Sequence, residues 1–370
     1  MSERQLHIVH TEASVGWGGQ EIRILSEARG MLARGHRVTL LCPAQARIHE
    51  EAQKQGVPVQ ALPIGRKKLR GMLAMRRWLK QNDVDVVNTH SSTDSWLAAL
   101  ACATLRHAPA IVRTRHISTP TPNNRATRWL YQTATAHIVT TGELLREALI
   151  KHNGYDPARL TSVPTGIDGE RFKPGDKKLV PQQCGLPQDD LIIGIAATIR
   201  TWKGHVYLLE AFAALNQPNT RLLIVGEGPN RGNVEAKIAE LGLQDKVIMP
   251  GNQGNVVPWL QSLDIFALPS YANEGVPQAV LQAMYCALPV VSTPVGSITE
   301  AVKDGQTGFI VPPKDSAALA AALGKLVQNP ELRKTFGAAG QAFVAANFAY
   351  AAMLDKMEQI FRKARNGRAN

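Results

Sequence analysis

Acidic residues are in short supply: 30 Asp and Glu stand against 42 Lys and Arg, a formal net charge of +12 over 370 residues. That imbalance admits polyanions and anionic lipid as partners. Nucleic acid is admitted by the charge too, but is not expected, because no nucleic-acid motif accompanies it. There are four cysteines, Cys42, Cys102, Cys184 and Cys286. They are scattered without metal-ligand spacing, three of them in apolar surroundings, which reads as buried free thiols and no metal site. No apolar run approaches the roughly 18–20 residues of a membrane span. The start, Met1-Ser-Glu-Arg-Gln-Leu-His-Ile-Val-His10, has neither the n-region nor the h-region of a signal peptide, so a cytoplasmic protein is expected. G-x-G-x-x-G is missing, which disfavours a nicotinamide dinucleotide. Short repeats and low-complexity segments are missing too.

What is present alternates strand with helix. Strands are expected at 6–10, 37–42, 57–64, 85–90, 110–116, 137–141 and 160–163, with helices at 21–34, 69–80, 94–105, 125–134 and 144–151 between them. Residues 168–190 break the rhythm with polar residues and Pro174, Pro181 and Pro187, and read as a linker. Strands resume at 191–199, 221–226, 246–249, 264–268, 289–292 and 308–311, with helices at 204–215, 233–241, 256–263 and 278–286, then 315–328, 331–345 and 349–366. The fold class is α/β: two Rossmann-like, doubly wound domains, 1–167 and 191–346, facing a central cleft. In such sheets ligands bind beyond the carboxyl ends of the strands.

The most informative stretch is Tyr271-Ala-Asn-Glu274-Gly275-Val276-Pro277-Gln278, followed by Pro289-Val-Val-Ser-Thr-Pro-Val-Gly296. It reads as a strand end, a tight loop and a helix whose first turn contains Pro277. Backbone N–H groups at a helix start bind anions, commonly phosphate. Glu274 beside them can accept from the hydroxyls of a neutral ligand, so the pair suggests a sugar joined to phosphate. Upstream, Arg200-Thr-Trp-Lys203-Gly204 follows the first strand of this half, and two cations suit a diphosphate leaving group. Gly226-Glu-Gly-Pro229 ends the next strand and is placed to flank a nucleoside.

In the first half, Gly16-Trp-Gly18-Gly19-Gln-Glu21 joins strand one to helix one, where glycines allow close approach of a phosphate or polar ligand. His90 with Asp94, and Arg115 with His116, stand at two further strand ends. His116 is the stronger site candidate; His90, Asp94 and Arg115 are candidates on the acceptor side, and Asp94 also reads as an N-cap. Asp83-Val-Asp85 lies at the entry of its strand, the wrong end for a metal motif, and reads as structural. Residues 65–80 hold Arg66, Lys67, Lys68, Arg70, Arg76, Arg77 and Lys80 with no acid, interleaved with Leu69, Met72, Leu73, Met75 and Trp78. Two readings stand: a basic amphipathic helix for an anionic membrane surface, or a surface helix packing Leu69, Leu73 and Met72 on a sheet.

With these residues in hand, the chain resembles the GT-B fold retaining glycosyltransferases of family four. The glycine loop, Val163-Pro-Thr-Gly-Ile-Asp168 with Phe172 and Pro174, the Lys203-Gly204 turn, Pro269-Ser270, Glu274-Gly275 and Gly308-Phe-Ile-Val-Pro-Pro313 match in order across nearly the whole length. The resemblance implies an N-terminal acceptor domain, a C-terminal donor domain and a last helix, 347–370, crossing back to the first domain. It implies that Glu274 binds donor-sugar hydroxyls, that Lys203 neutralises the diphosphate, and that His116 lies near sugar and phosphate. Gly18, Gly19, Gly275 and Val276 would approach sugar or diphosphate. Two positions depart from the pattern. Gln282 stands where the family has a ribose-binding glutamate, and Thr198 where it has an arginine, for which Arg200 can substitute. The finer pattern is similar to bacterial enzymes of lipopolysaccharide core or surface polysaccharide. It implies a peripheral position on the cytoplasmic face of the inner membrane.

The expected activity is transfer of a sugar from a nucleotide diphosphate sugar to a hydroxyl of a lipopolysaccharide-core, glycolipid or polysaccharide acceptor, with retention and no required cofactor or metal. Double displacement needs two carboxylates flanking the bond, and only Glu274 is a strong candidate, so a front-face route is preferred. The rivals are a GT-B sugar-nucleotide 2-epimerase and a non-catalytic basic binding protein.

Overall fold

The computed structural model describes residues 4–177, 179–187 and 189–367. The chain divides into two compact units: Met1–Thr165 with Ala351–Asn370, and Gly166–Tyr350.

In the first unit, strands β1 (His7–Thr11), β2 (Arg37–Cys42), β3 (Val59–Ala61), β4 (Val86–Thr89), β5 (Ala110–Arg115), β6 (His137–Thr140) and β7 (Leu160–Ser162) form one parallel sheet in the order β3-β2-β1-β4-β5-β6-β7. Parallel neighbours need long crossovers. These run through helices α1 (Gly19–Ala33), α2 (Arg47–Lys54), α3 (Leu69–Gln81), α4 (Ser92–Ala103), α5 (Arg125–Trp129) and α6 (Glu143–Asn153). Every residue of β1, β4 and β6 is buried, as expected of strands covered on both faces. β1 lies beside β4, with His10 opposite Asn88 and Thr11 opposite Thr89. The strand order reverses at that pair, so ligand-facing loops converge there.

The second unit repeats the scheme with β8 (Leu191–Ala196), β9 (Thr220–Val225), β10 (Val247–Gly251), β11 (Ile265–Leu268), β12 (Val290–Ser292) and β13 (Gly308–Ile310), ordered β10-β9-β8-β11-β12-β13 and all parallel. Its helices are α7 (Val180–Gln183), α8 (His205–Leu215), α9 (Arg231–Glu240), α10 (Val257–Gln261), α11 (Gln278–Tyr285), α12 (Ile298–Ala301), α13 (Ser316–Gln328) and α14 (Pro330–Asn347). The reversal here falls between β8 and β11. A last helix, α15 (Tyr350–Asn366), returns to the first unit. Its Asp355 and Glu358 pair with Arg34 at 2.6 and 3.0 Å, and its Arg365 pairs with Asp85 at 2.9 Å. Met357 and Phe361 on its inner face are fully buried, each contributing about 1.5–3 kcal/mol of apolar burial.

Several expectations differ from the structure. The supposed linker 168–190 belongs to the second unit, where Phe172 and Leu186 join the apolar core. Its polar composition reflects only its outer face. The helix expected over 125–134 is α5 followed by a π-helical turn at Leu130–Ala134, closed by the Thr135 hydroxyl donating to the Leu130 carbonyl at 2.7 Å. α2 was not expected, because only Ile48 and Ala52 mark its buried stripe. α3 packs Gly71, Met75 and Leu79 inward and leaves Leu69 and Leu73 67% and 50% exposed. The packing reading of Leu69 and Leu73 is therefore corrected: the inward stripe is the other one. Asp85 serves the fold, its carboxylate accepting from the His7 N–H at 2.8 Å at the amino end of the sheet.

Candidate functional site

In the second unit the polar groups gather at the β8/β11 reversal. β8 ends in a 3-10 turn, Thr201–Lys203, closed by Gly204 at φ +78°. A Cβ at Gly204 would stand 2.1 Å from the Pro269 carbonyl oxygen, so only glycine lets this turn lie against the end of β11. The Tyr271 N–H donates to the Trp202 carbonyl at 2.8 Å and locks the two loops together. Lys203 Nζ thereby comes within 2.6 Å of Glu274 Oε1, which also accepts from the Ser270 hydroxyl at 2.6 Å. Glu274 is 5% exposed. A Cβ at Gly296, φ +55°, would meet the Glu274 carbonyl oxygen at 2.0 Å, so the loop after β12 braces the Glu274 loop from behind.

Gly275 and Val276 are buried beside Glu274. Pro277 is the N-cap of α11 and not its first helical residue, with φ −69° and ψ 127°. Gln282 lies on the same helix, half-buried, and its amide makes no hydrogen bond among the described residues. Gly226 ends β9 and donates its N–H to the Gly251 carbonyl at 2.9 Å. Arg200 is exposed and stacks its guanidinium 5.1 Å over the Trp202 ring; it does not reach Glu274. Sequence reasoning passed over His205, the first residue of α8. It is buried, and burial, then the Lys203 charge, pushes it down to about 4 against a backbone hydrogen bond with Arg200.

In the first unit the β1/β4 reversal carries a row of histidines. Nδ1 of His10 lies 3.0 Å from Nε2 of His90, and Nδ1 of His90 lies 2.9 Å from Nε2 of His116. His90 is buried and His116 half-buried. Burial, then neighbouring positive charge, holds both well below the usual histidine range. Asp94 is not the N-cap of α4 but its third residue: Ser91 is the cap, and the two form a reciprocal capping box. Its fully buried carboxylate also accepts from the Thr11 hydroxyl at 2.6 Å and the His90 N–H at 2.9 Å. Arg115 is committed to Tyr131 Oη at 2.6 Å, Thr121 Oγ1 at 2.7 Å and the Thr119 carbonyl at 2.6 Å, which ties down the loop after β5. Gly18 is the N-cap of α1 and brings no capping side chain; Gly19 is its first residue.

The sequence reading did not single out His10, Glu12, Arg23 or Glu27. Glu12, just past β1, is fully buried and accepts from the Ser14 N–H at 2.7 Å and from the Gln20 amide. Burial, then the Asp94 charge, pushes its carboxyl up to about 8. For His10 a signal was available: it stands one residue from the carboxyl end of a parallel strand, as His90 and His116 do. Glu27 and Arg23 on α1 give none, since an i,i+4 pair of charges reads as a solvated face.

Two doubly wound units each gather buried charge at a strand reversal, and in the second unit Gly204 and Gly296 bring the loops there into backbone contact, the architecture of an α/β protein that binds its ligand at the strand ends. Residues 17–171 match the family described as Glycosyltransferase Family 4, and residues 176–343 match Glycosyl transferases group 1. A D-inositol 3-phosphate glycosyltransferase of Stackebrandtia nassauensis is 30% identical over 95% of this chain and 88% of its own. HepE of Anabaena, solved with UDP and glucose, superposes with a TM-score of 0.87 at 20% identity, covering 97% of this chain and 100% of that one. A glycosyltransferase of Rickettsia africae superposes at 0.85 and 21% identity, over 98% and 99% of the two chains. The chain belongs to the group 1 and family 4 glycosyltransferases, and its fold is the GT-B fold of that family. It is a transferase, which removes the non-catalytic reading and leaves the epimerase reading without support.

Proposed function

We propose that this enzyme moves a sugar from a nucleotide diphosphate sugar to an acceptor hydroxyl, with retention at the anomeric carbon. The observation that carries the reading is the Lys203–Glu274 pair, held at 2.6 Å at the β8/β11 reversal beside the start of α11. Glu274 takes donor-sugar hydroxyls. Lys203, with the exposed Arg200, offsets charge on the departing diphosphate. Gly226, Gly275, Val276 and Gln282 shape the donor pocket of the second unit, and Gln282 meets the ribose with an amide that both donates and accepts. In the first unit His116 works near the sugar, Gly18 and Gly19 near the diphosphate, and His90, Asp94 and Arg115 support the acceptor side. Glu274 is the one carboxylate in the donor group, and one oxygen of it already serves Lys203 and Ser270. A nucleophile needs both a partner acid and a free approach. The front-face route, in which the leaving phosphate oxygen takes the acceptor proton, fits better. No resident metal or cofactor enters this scheme.

For the acceptor, two specific observations pull apart. Leu69 and Leu73 are exposed on α3 among Arg66, Lys67, Lys68, Arg70 and Arg77, none of which has a carboxylate partner among the described residues. That face favours a lipid-linked acceptor, of the lipopolysaccharide-core or polysaccharide kind, reached from the cytoplasmic side of an anionic membrane. The name of the Stackebrandtia relative favours a phosphorylated polyol instead. Thermal melting with UDP, GDP, ADP and CDP and their sugar conjugates tests the donor half. A ligand at 100 times its Kd adds about 2.7 kcal/mol. A shift with one nucleotide names the donor class; no shift with any refutes the donor assignment. Product formation from that donor with inositol phosphate, or with a lipid-linked oligosaccharide, then decides the acceptor.

A further inference from the structure

The histidine row of the first unit carries a fixed number of protons. Its two internal contacts, 3.0 and 2.9 Å, join ring nitrogen to ring nitrogen, so each contact holds one proton between a donor and a bare acceptor. Burial first, and the Arg23 charge among the other causes, holds all three rings in the neutral form at pH 7. Three neutral rings have three protons on six nitrogens. Two of these occupy the contacts, and the third sits at one end of the row, on Nε2 of His10 or on Nδ1 of His116. Only two arrangements exist, and each sets all three tautomers together.

The inner end decides between them. Nε2 of His10 is fully buried and faces Glu27 Oε1 at 4.0 Å. That is too long for a hydrogen bond, but a carboxylate in the interior favours an N–H pointing at it over a lone pair. Asn88 Nδ2 donates to the same Oε1 at 3.2 Å, while the Thr114 hydroxyl donates to Asn88 Oδ1 at 2.9 Å and sets the amide that way round. Arg23 Nε lies 3.6 Å from Glu27 Oε2, and Arg23 Nη1 donates to the Val163 carbonyl at 2.6 Å. Burial pushes the Glu27 carboxyl up, and the Arg23 charge and the hydrogen bonds from Arg23 and Asn88 pull it back. With a guanidinium on one oxygen and an amide N–H on the other, both positions facing Glu27 are donors, and we take it as the carboxylate. At the outer end, Nδ1 of the half-buried His116 makes no hydrogen bond among the described residues.

We infer that Glu27, acting through His10 and His90, fixes His116 in the Nε2–H tautomer and presents its Nδ1 outward as a bare acceptor. His116 then accepts from a hydroxyl at Nδ1 and does not donate to a phosphate oxygen there. Glu27 and His10 are positioning residues, some two rings removed from any ligand. The chemical consequence rests on the transferase reading given above; the tautomer itself does not.

Long-range proton–nitrogen spectra of the whole protein, labelled with ¹⁵N-histidine and assigned with His116→Gln, read the tautomer directly. The expected result is His116 protonated at Nε2. His116 protonated at Nδ1 overturns the inference outright, whatever any variant does. His10→Phe keeps an aromatic ring against Phe361, 6.4 Å from the His10 ring centroid, and cuts the row from Glu27. It is expected to give mixed His116 tautomers and to lower kcat roughly tenfold or more, with nucleotide Kd unchanged. An unchanged His116 spectrum in His10→Phe also overturns it. A wild-type protein without transfer activity refutes the transferase reading, and the tautomer is still decided by the spectra.

Discussion

Glu12→Gln should stabilise the first unit, and by more at pH 7 than at pH 5. Glu12 and Asp94 are two buried carboxyls, each raised by burial, that share the end of β1. Asp94 accepts from Thr11, His90, Ser91 and Ser95, whereas Glu12 accepts from Ser14 and Gln20. The better-solvated carboxylate stays ionised, and the proton goes to Glu12. With its carboxyl raised from 4.5 to about 8, the folded state binds the extra proton. Stability present below the unfolded value is therefore lost as pH rises through this window. Integration gives a cost of about 1 kcal/mol at pH 5 and about 3 kcal/mol at pH 7. The histidines run the other way: His10, lowered to about 3, destabilises the fold as pH falls below 6.5. They are common to both proteins and cancel in the difference. Two units need not open together, so hydrogen exchange of amides in β1 and β4 is the assay, with β8 and β11 amides as the internal reference. The protection gap between Glu12→Gln and wild type should widen by roughly 2 kcal/mol from pH 5 to pH 7. A gap that is the same at both pH values refutes the assignment of the proton to Glu12.

Two further outcomes follow from the donor group and from α3. Glu274→Ala should lower kcat by about 100-fold or more while nucleotide Kd moves less than about threefold, because its sugar contact is missing from the bare nucleotide; wild-type turnover in steady-state assays would remove Glu274 from the site. Replacing Arg66, Lys67, Lys68 and Arg70 by Gln should weaken sedimentation with phosphatidylserine vesicles by up to about 4 kcal/mol, at about 1 kcal/mol per cation near the surface. Unchanged binding would remove the membrane reading of residues 65–80.

Much of the architecture was legible because strands buried on both faces announce themselves as apolar runs, and because Gly204, Gly275 and Pro277 punctuate the loops that follow them. Lys203 and Glu274 stand directly beyond such runs, so adjacency in the sheet brings them together without further information. The row of histidines was legible only in part. His90 and His116 fall after their strands, but His10 lies inside β1 and was counted with it. Glu27 was hidden for a different reason: its i,i+4 partner Arg23 makes the two look like a solvated pair, and only tertiary contacts, Arg23 to the Val163 carbonyl and Glu27 to Asn88, show them buried. On α3 the sequence offers two apolar stripes, Leu69 with Leu73 and Met75 with Leu79. Periodicity is equal for both, and only packing against the sheet chooses one.

The Lys203–Glu274 bond leaves both groups with capacity for a donor, although each already holds the other. A carboxylate offers about four lone-pair positions over two oxygens. Lys203 and Ser270 both use Oε1, and Oε2 carries no hydrogen bond among the described residues. A sugar hydroxyl can donate to Oε2 without displacing the lysine. Lys203 in turn has three N–H bonds and spends one of them on Glu274, which leaves two for phosphate oxygens. The pair therefore holds the ammonium in place before any ligand arrives, and a fixed cation stabilises developing charge better than one that must first be ordered. Arg200, exposed on Trp202, lacks that restraint, so within the proposed function it would be the auxiliary cation and Lys203 the principal one.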